Sequence, residues 1–524
     1  MTNETPYVDF FDQDFYSRQV PGEPECDLEH FLEVGDSLGL DPGPYFSTRF
    51  YKNRYPDWQD SGAKTALEDF LLRLGSGDDQ CQPHPLINPE AYRSRHPDLA
   101  QLGTDAVLHF VRHGDAEARW PSDRFDATFY THCYMPLGEK YPFRHYALQG
   151  RGLGYQPCPV PLSRAESSRR MRHILSELTQ PLVFVVHDAQ RAGVPILTLD
   201  LADAAAKQGW QPVFILLRGG PLLPRFQDTG PVAILATGWD LDGIADALPQ
   251  SVPVIANTAV VADAANVLAQ GDRPTLLLIH EMADYLRDQE IIATLKTAQA
   301  SGVKLALSMP PMVEAFQADF GTLPVIRPGL LDPHVSLSSY RNVLHRLNIA
   351  PRDASVFIGA GYGDHRKGFD LFLSAAEVIT DQCSDAIFVW LGEIDPTFQD
   401  RIDTARAKGV DLTLPGFVED FAAWYMAASV YLLTSRQDPG PTTVMHAVQV
   451  GTPFVGYAAD IGLIGQFDSF GQFVPPGDED AYVSAALQSL SFSVQDRRAL
   501  RRRLAPETSF ERYANAVLTA VTSN

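Results

Sequence analysis

Two cations stand side by side in a glycine-rich turn of this sequence. The run Val356-Phe357-Ile358-Gly359-Ala360-Gly361-Tyr362-Gly363-Asp364-His365-Arg366-Lys367-Gly368-Phe369 passes from a strand-like apolar stretch into a helix-like one. Gly359, Gly361 and Gly363 leave backbone room beside a ligand, and Arg366 and Lys367 bring two positive charges to it. A solvated charge pair at a helix start is the plainer reading. Cations there oppose the helix dipole, however, so the pair points to an anion of the phosphate or diphosphate kind.

A second set lies in Ser435-Arg436-Gln437-Asp438-Pro439-Gly440-Pro441-Thr442-Thr443-Val444-Met445-His446, which continues to Gly451-Thr452-Pro453. A strand at Val430–Leu433 leads into this Pro/Gly-rich loop, and a helix is expected from about Thr442 to Val450. Thr442 or Thr443 would cap it, leaving free N–H groups for phosphate or sugar oxygens. Asp438 and His446 can face one cleft, although ordinary loop and cap chemistry uses the same residue types.

Two clusters precede these. In His187-Asp188-Ala189-Gln190-Arg191-Ala192-Gly193-Val194-Pro195 a strand ends and a helix is expected near Pro195. Gly193 either admits a ligand to the helix N-terminus or makes a tight turn. The pattern is not G-x-G-x-x-G, and Leu216-Leu217-Arg218-Gly219-Gly220 stands where a dinucleotide fold would place an acidic ribose reader. His280-Glu281 follows the apolar run Thr275–Ile279 directly. A histidine at the mouth of a buried strand can exchange a proton near neutral pH, or the pair caps the strand end.

The elements that must position these residues are legible as apolar runs. Leu182–Val186, Pro212–Leu217, Val232–Leu235, Val254–Ile255, Thr275–Ile279, Lys304–Ser308 and Val325–Ile326 alternate with helical stretches. A second series follows at Val356–Ile358, Ile387–Leu391, Leu412–Leu414, Val430–Leu433, Phe454–Gly456 and Gln472–Val474. Continuous apolar strands imply burial on both faces, hence parallel sheets in an α/β fold. The expected division is a Rossmann-like domain at 165–345, a second at 346–504 and a C-terminal helix within 505–524 that packs across the lobes. Ligands of such sheets lie at the carboxyl ends of the strands.

Residues 1–158 repeat themselves. Phe15-Tyr16, Phe50-Tyr51, Tyr92 and Phe129-Tyr130 recur ahead of apolar helical stretches, and Gly35, Gly75, Gly114 and Gly150 close the units at spacings of 40, 39 and 36. Such a period marks an α-helical array of four stacked helix pairs, with each glycine expected just past the end of its second helix. His30, His109 and His145 occupy equivalent positions, which favours packing over metal binding. The region reads as a platform for a protein partner or for self-association, or as a stabilising extension. Pro157-Cys158-Pro159-Val160-Pro161 reads as an extended spacer, and the basic helix Arg164–Leu178 as a solvated face.

Composition narrows the classes. The 524 residues carry 42 Lys and Arg against 65 Asp and Glu, a net charge of −23. A chain this acidic repels nucleic acid and anionic lipid unless a basic patch is concentrated locally. Five dispersed cysteines without a CxxC pair argue against zinc or a disulfide framework and fit a reducing cytoplasm.

Ser435–Pro453 resembles the donor-site signature of retaining GT-B glycosyltransferases of family four (group 1 type): an acidic residue, seven residues, Glu, and an ending Gly-x-Pro. Arg366-Lys367-Gly368 is similar to that family's diphosphate turn, His187–Pro195 to its acceptor-side loop and His280-Glu281 to its cleft histidine, in order over 181–524. The aromatic repeats resemble those prefixed to some bacterial surface-polysaccharide glycosyltransferases.

The resemblance implies a GT-B fold of two Rossmann-like domains facing a cleft, behind the helical repeats. It implies transfer of a hexose or similar sugar from a UDP- or GDP-sugar to a hydroxyl of a glycan, lipid-linked or protein acceptor, with retention. The setting would be bacterial surface polysaccharide or glycoconjugate assembly, in the cytoplasm or peripheral at the inner membrane. Asp438 would bind donor-sugar hydroxyls, with Gly440, Pro441, Thr442 and Thr443 against sugar and phosphates. Arg366 and Lys367, beside Gly361, would stabilise the departing diphosphate; His280 would face donor and acceptor, with Gly193 allowing close approach. His446 stands where the family places a ribose-binding Glu, and imidazole replaces only part of that hydrogen bonding. No Asp-x-Asp sits in a suitable strand-end loop, so neither metal nor cofactor is expected. The other readings are a catalytically impaired sugar-nucleotide-binding or scaffold protein, and an epimerase, which would require further carboxylates in the cleft.

Overall fold

The computed structural model describes residues 6–20, 26–99, 105–136, 138–333, 335–350, 354–438, 440, 442–461, 471–506 and 509–523. The apolar runs form two six-stranded parallel sheets. The first contains β1 (Pro181–Val186), β2 (Gln211–Leu216), β3 (Val232–Ile234), β4 (Val254–Ala256), β5 (Thr275–Ile279) and β6 (Lys304–Leu307), in the order β3-β2-β1-β4-β5-β6. The second half supplies β7 (Ser355–Ala360), β8 (Ala386–Leu391), β9 (Leu412–Gly416), β10 (Val430–Leu433), β11 (Gln437–Asp438), β12 (Phe454–Tyr457), β13 (Asp460–Ile461) and β14 (Gly471–Val474). Its main sheet runs β14-β12-β10-β7-β8-β9, with β11 and β13 paired beside it. The expected strand at Val325–Ile326 is only an isolated bridge from Val325 to Leu307; Pro324 and Pro328 leave too few donors to extend it.

Each sheet changes direction of winding at its centre, between β1 and β4 in one lobe and between β7 and β10 in the other. Loops leaving such adjacent strands diverge and open a crevice. His187–Gly193 follows β1, and Asn257 follows β4. The Arg366-Lys367 turn follows β7, and the Asp438 loop follows β10. The chain then returns: helix Val494–Leu504 is pinned to the second lobe by Arg497, which donates to the carbonyls of Ala428 and Ser429 at 2.9 and 2.8 Å. Helix Phe510–Thr522 buries Tyr513, Val517 and Val521 in a cluster shared with the first lobe.

The repeats fold as paired helices, and their aromatic landmarks are structural. Tyr16, Tyr51, Tyr92 and Tyr130 are fully buried. The hydroxyls of Tyr16, Tyr92 and Tyr130 lie 2.8, 3.0 and 2.8 Å from Nδ1 of His30, His109 and His145. The recurring histidines therefore satisfy buried phenols.

The glycines do not end their helices as expected. A methyl group at Gly35, Gly114 or Gly150 would lie 2.2, 2.2 or 2.0 Å from the same tyrosine's oxygen. Each is absorbed in a π turn, with Asp36, Asp115 and Arg151 donating back five residues to Phe31, Phe110 and Tyr146. The left-handed positions fall four residues later, at Gly39, Ala118 and Gly154. Unit two is the exception that explains the rule. Tyr51 donates to Asp69 at 2.8 Å instead of meeting a histidine, Leu74 holds the position five residues on, and Gly75 has open space. Its helix stays α-helical over Ala66–Gly75.

The proline stretch is no free spacer. Asp126 donates its N–H to the Pro157 carbonyl at 2.9 Å, as Asp12, Ser47 and Asn88 do to Pro42, Pro83 and Pro121. Val160 and Leu162 then donate to Thr237 and Gly238 of the first lobe at 3.1 and 2.7 Å. The fourth repeat docks beside them: a methyl at Gly219 would meet the Cys133 carbonyl oxygen at 1.9 Å. Among the described residues no helix is long and apolar enough to cross a membrane.

Candidate functional site

The basic turn and the Asp438 loop are joined into one surface. Asp364 accepts the Lys367 N–H at 2.7 Å and closes the turn. Arg436 donates its N–H to the Arg366 carbonyl at 2.9 Å, and its guanidinium grips Asp370 through two bonds of 2.8 and 2.7 Å. Thr434 donates to the Lys367 carbonyl at 3.1 Å. Gly368 has φ +69°, and a methyl there would meet the Thr434 carbonyl oxygen at 2.0 Å, so only glycine permits the approach.

On this surface Lys367 Nζ rests on the Asp438 carboxylate, with both side chains largely buried. Arg366 is exposed and donates to the Gln437 carbonyl at 3.2 Å. Gly361 holds φ +132° with the Lys367 stem packed over it, 3.2 Å from where a methyl would lie. Gly359 and Gly363 have a different purpose from the expected one: methyl groups there would meet the Trp390 indole at 2.6 and 3.2 Å. Two of the three alternate glycines thus make room for a tryptophan, and one for the lysine.

Helix Thr442–Gln449 starts beside this pair. Thr442 and Thr443 are its first helical residues, so neither is the cap that the sequence suggested. Tyr431 donates to Thr443 Oγ1 at 2.8 Å from the buried strand below. Pro441 lies outside the described residues. His446 packs against the Phe421 ring, centroids 4.4 Å apart, with Nδ1 3.3 Å from Gln449 Oε1. Burial drives its pKa down to about 4, which Gln449 opposes; the imidazole is neutral at pH 7.

The first lobe meets these loops directly. A methyl at Gly193 would lie 3.8 Å from Thr442 Oγ1, and one at Gly440 would lie 3.1 Å from the Met309 methyl. Arg191 stacks over Phe417 with its guanidinium 4.8 Å from the ring centre. Gly193 opens helix Gly193–Lys207, two residues earlier than Pro195 suggested, and that helix has no side-chain cap. Its first N–H groups thus face the seam between the lobes.

His280 and Glu281 divide their work. Glu281 is consumed locally: it accepts from Thr258 Oγ1, from Ala259 N at 3.1 Å and from His280 N at 3.0 Å, tying the loop after β4 to the end of β5. His280 is half-buried, with Nε2 2.9 Å from Asn257 Oδ1. Burial lowers its pKa, against an upward pull from Glu281. Asn257 and Arg191 were not singled out in the sequence. Asn257 ends its apolar run as His280 ends the neighbouring one, and that parallel was the available signal.

The array reaches the same seam. Gln190 Nε2 donates to the Met135 carbonyl at 3.0 Å, fastening the loop before Gly193 to the fourth repeat. Glu139 feels Arg191 and Glu393 in opposite senses, with partial desolvation the larger influence raising its pKa. Two surface cavities of about 450 and 490 Å3 lie elsewhere, beside the terminal helix and near Gln382 and Asp480. The convergent polar groups are at the interlobe seam.

Residues 352–491 match the family described as glycosyl transferases group 1. No curated protein matches the chain. Among solved structures, HepE of Anabaena in complex with UDP-glucose superposes with a TM-score of 0.56 at 14% identity, over 66% of this chain and 100% of that one. WaaG, a glycosyltransferase involved in lipopolysaccharide biosynthesis, gives 0.53 at 12%, over 66% and 100%. Sucrose-phosphate synthase from Thermosynechococcus elongatus gives 0.52 at 18%, over 65% and 98%. The two lobes therefore have the GT-B fold, and residues 352–491 of the second are similar to the glycosyl transferases group 1 family.

Proposed function

We propose that the chain transfers a hexose or similar sugar from a UDP- or GDP-sugar to a hydroxyl acceptor with retained anomeric configuration. The observation that carries this reading is the joined surface of Lys367, Arg366 and Asp438, facing the uncapped start of helix Gly193–Lys207 across the seam. The donor diphosphate would draw Lys367 from Asp438 and take charge from Arg366 and from the N–H groups at Thr442 and Thr443. Asp438, released, would accept hydrogen bonds from the donor sugar. His280 and Gly193 would border the acceptor. HepE and its UDP-glucose complex support a nucleotide-sugar donor by likeness of fold.

The reaction would need no metal, since the basic pair offsets the developing diphosphate charge. A role in surface polysaccharide or glycoconjugate assembly accords with WaaG, a glycosyltransferase involved in lipopolysaccharide biosynthesis, among the related folds; the place of action would be the cytoplasm or the periphery of the inner membrane. The repeats would buttress the acceptor loop through Gln190 and Met135. The test is a panel of UDP-, GDP- and ADP-sugars with purified protein. Release of nucleoside diphosphate supports transfer, and proton NMR of the product gives its anomeric configuration. Binding without release would favour an impaired sugar-nucleotide-binding protein, a reading to which His446, neutral and packed on Phe421, lends the one specific observation.

A further inference from the structure

A chain of hydrogen bonds runs from the first turn of helix Gly193–Lys207 to the cleft histidine. Thr198 Oγ1 donates its single hydrogen to the Val194 carbonyl at 2.8 Å. Its oxygen then accepts from Asn257 Nδ2 at 2.9 Å. Thr198 and Asn257 are fully buried, so neither exchanges its partner for water. The Asn257 amide is therefore oriented, nitrogen toward Thr198 and oxygen toward His280. That oxygen lies 2.9 Å from His280 Nε2 and can only accept.

We propose that Thr198 and Asn257 are positioning residues that fix His280 with its proton on Nε2, so that Nδ1 is left as a hydrogen-bond acceptor for a hydroxyl of the donor or acceptor sugar. Turning the amide over would set Asn257 Oδ1 against the Thr198 oxygen, whose hydrogen is spent, and would lose the bond from Nδ2 to that oxygen. Nδ1 has no partner among the described residues. A ring in this state recognises O–H groups and offers no charge to phosphate, which leaves the diphosphate to Arg366 and Lys367. What His280 touches rests on the glycosyl-transfer reading; its proton position does not.

The decisive experiment is long-range 1H–15N correlation on the full chain with 15N-labelled histidine, His280 being assigned by its loss in His280→Gln. The expected pattern at pH 7 is a neutral ring protonated at Nε2. A ring protonated at Nδ1, or at both nitrogens, overturns the proposal whether or not the protein is active. With a donor that turns over, Thr198→Val is expected to lower kcat by about 10- to 100-fold through misplacement of the ring. UDP affinity should stay unchanged, and Thr198→Ser should restore kcat. Wild-type kcat in Thr198→Val overturns the positioning role. Should Thr198→Val fail to fold, Thr198→Ala replaces it: it likewise removes the acceptor that orients the Asn257 amide, and wild-type kcat there also overturns the positioning role. If no donor turns over, the glycosyl-transfer reading fails while the NMR result still decides the proton position.

Discussion

Lys367 lies against the carboxylate of Asp438, and the two neutralise each other where the proposed donor would sit. Both are largely buried, so the charges are spared much of the screening that weakens a surface pair. A ligand gains by exchanging partners here. Diphosphate can replace Asp438 on the ammonium, and sugar hydroxyls can replace the ammonium on Asp438. Lys367→Ala is therefore expected to weaken UDP binding by about 10- to 100-fold, the loss of one charge-assisted hydrogen bond. Titration calorimetry measures it, and unchanged affinity would remove Lys367 from the donor site.

Asp438→Asn separates the two roles. It releases Lys367 from its internal partner, so UDP alone should bind at least as tightly as to the wild type. Sugar transfer should fall by at least about 10-fold, because the uncharged amide oxygen is a weaker acceptor than a carboxylate toward hydroxyl donors. Weaker UDP binding with normal turnover would reverse the assignment.

The array offers a paired test of its own geometry. Gly114→Ala sets a methyl 2.2 Å from the Tyr92 oxygen and should destabilise by about 1–3 kcal/mol. Gly75→Ala, in open space within a regular helix, should stabilise by about 0.5–1 kcal/mol. Chemical denaturation of both variants checks this, and equal effects would contradict the account of the π turns.

Acid should act through the buried histidines in a defined direction. His84 is driven down to about 3 by burial and by Arg151, and accepts the Leu86 N–H on Nδ1 at 3.1 Å. His446 is driven down to about 4. Both are neutral in the folded chain but take up protons near pH 6.5 when unfolded. Their contribution is whole above pH 6.5 and is lost progressively as pH falls toward 4 and 3. Asp115 and Asp200, raised to about 6 by burial, act in the opposite sense over this range, so the test is a difference: between pH 7 and pH 5 the melting temperature should change less favourably in the wild type than in His84→Gln. An unchanged slope would show that His84 is not held neutral.

Apolar runs such as Leu182–Val186 and Val430–Leu433 announced the strands because both faces of a parallel sheet are buried, which makes each strand a continuous apolar run of strand length. The basic turn and the Asp438 loop were legible for a related reason: cations and prolines at strand ends have few structural uses. The sequence misled where one residue type serves two purposes. Gly35 and Gly114 looked like helix ends because glycine is common there, yet a tyrosine hydroxyl over the helix demands the same residue. Gly359 and Gly363 looked like ligand glycines but make room for Trp390, thirty-one and twenty-seven residues away along the chain. The pair His280-Glu281 left chemistry and a strand-end cap both open; that Glu281 closes the β4 loop depends on Thr258 and Ala259, which only the fold brings near.

The most direct measurement is a crystal structure with an intact UDP-sugar or GDP-sugar bound. The account predicts Lys367 and Arg366 on the diphosphate, Asp438 turned to the sugar and the ion pair between Lys367 and Asp438 opened. A nucleotide bound elsewhere, with that ion pair still closed, would contradict it.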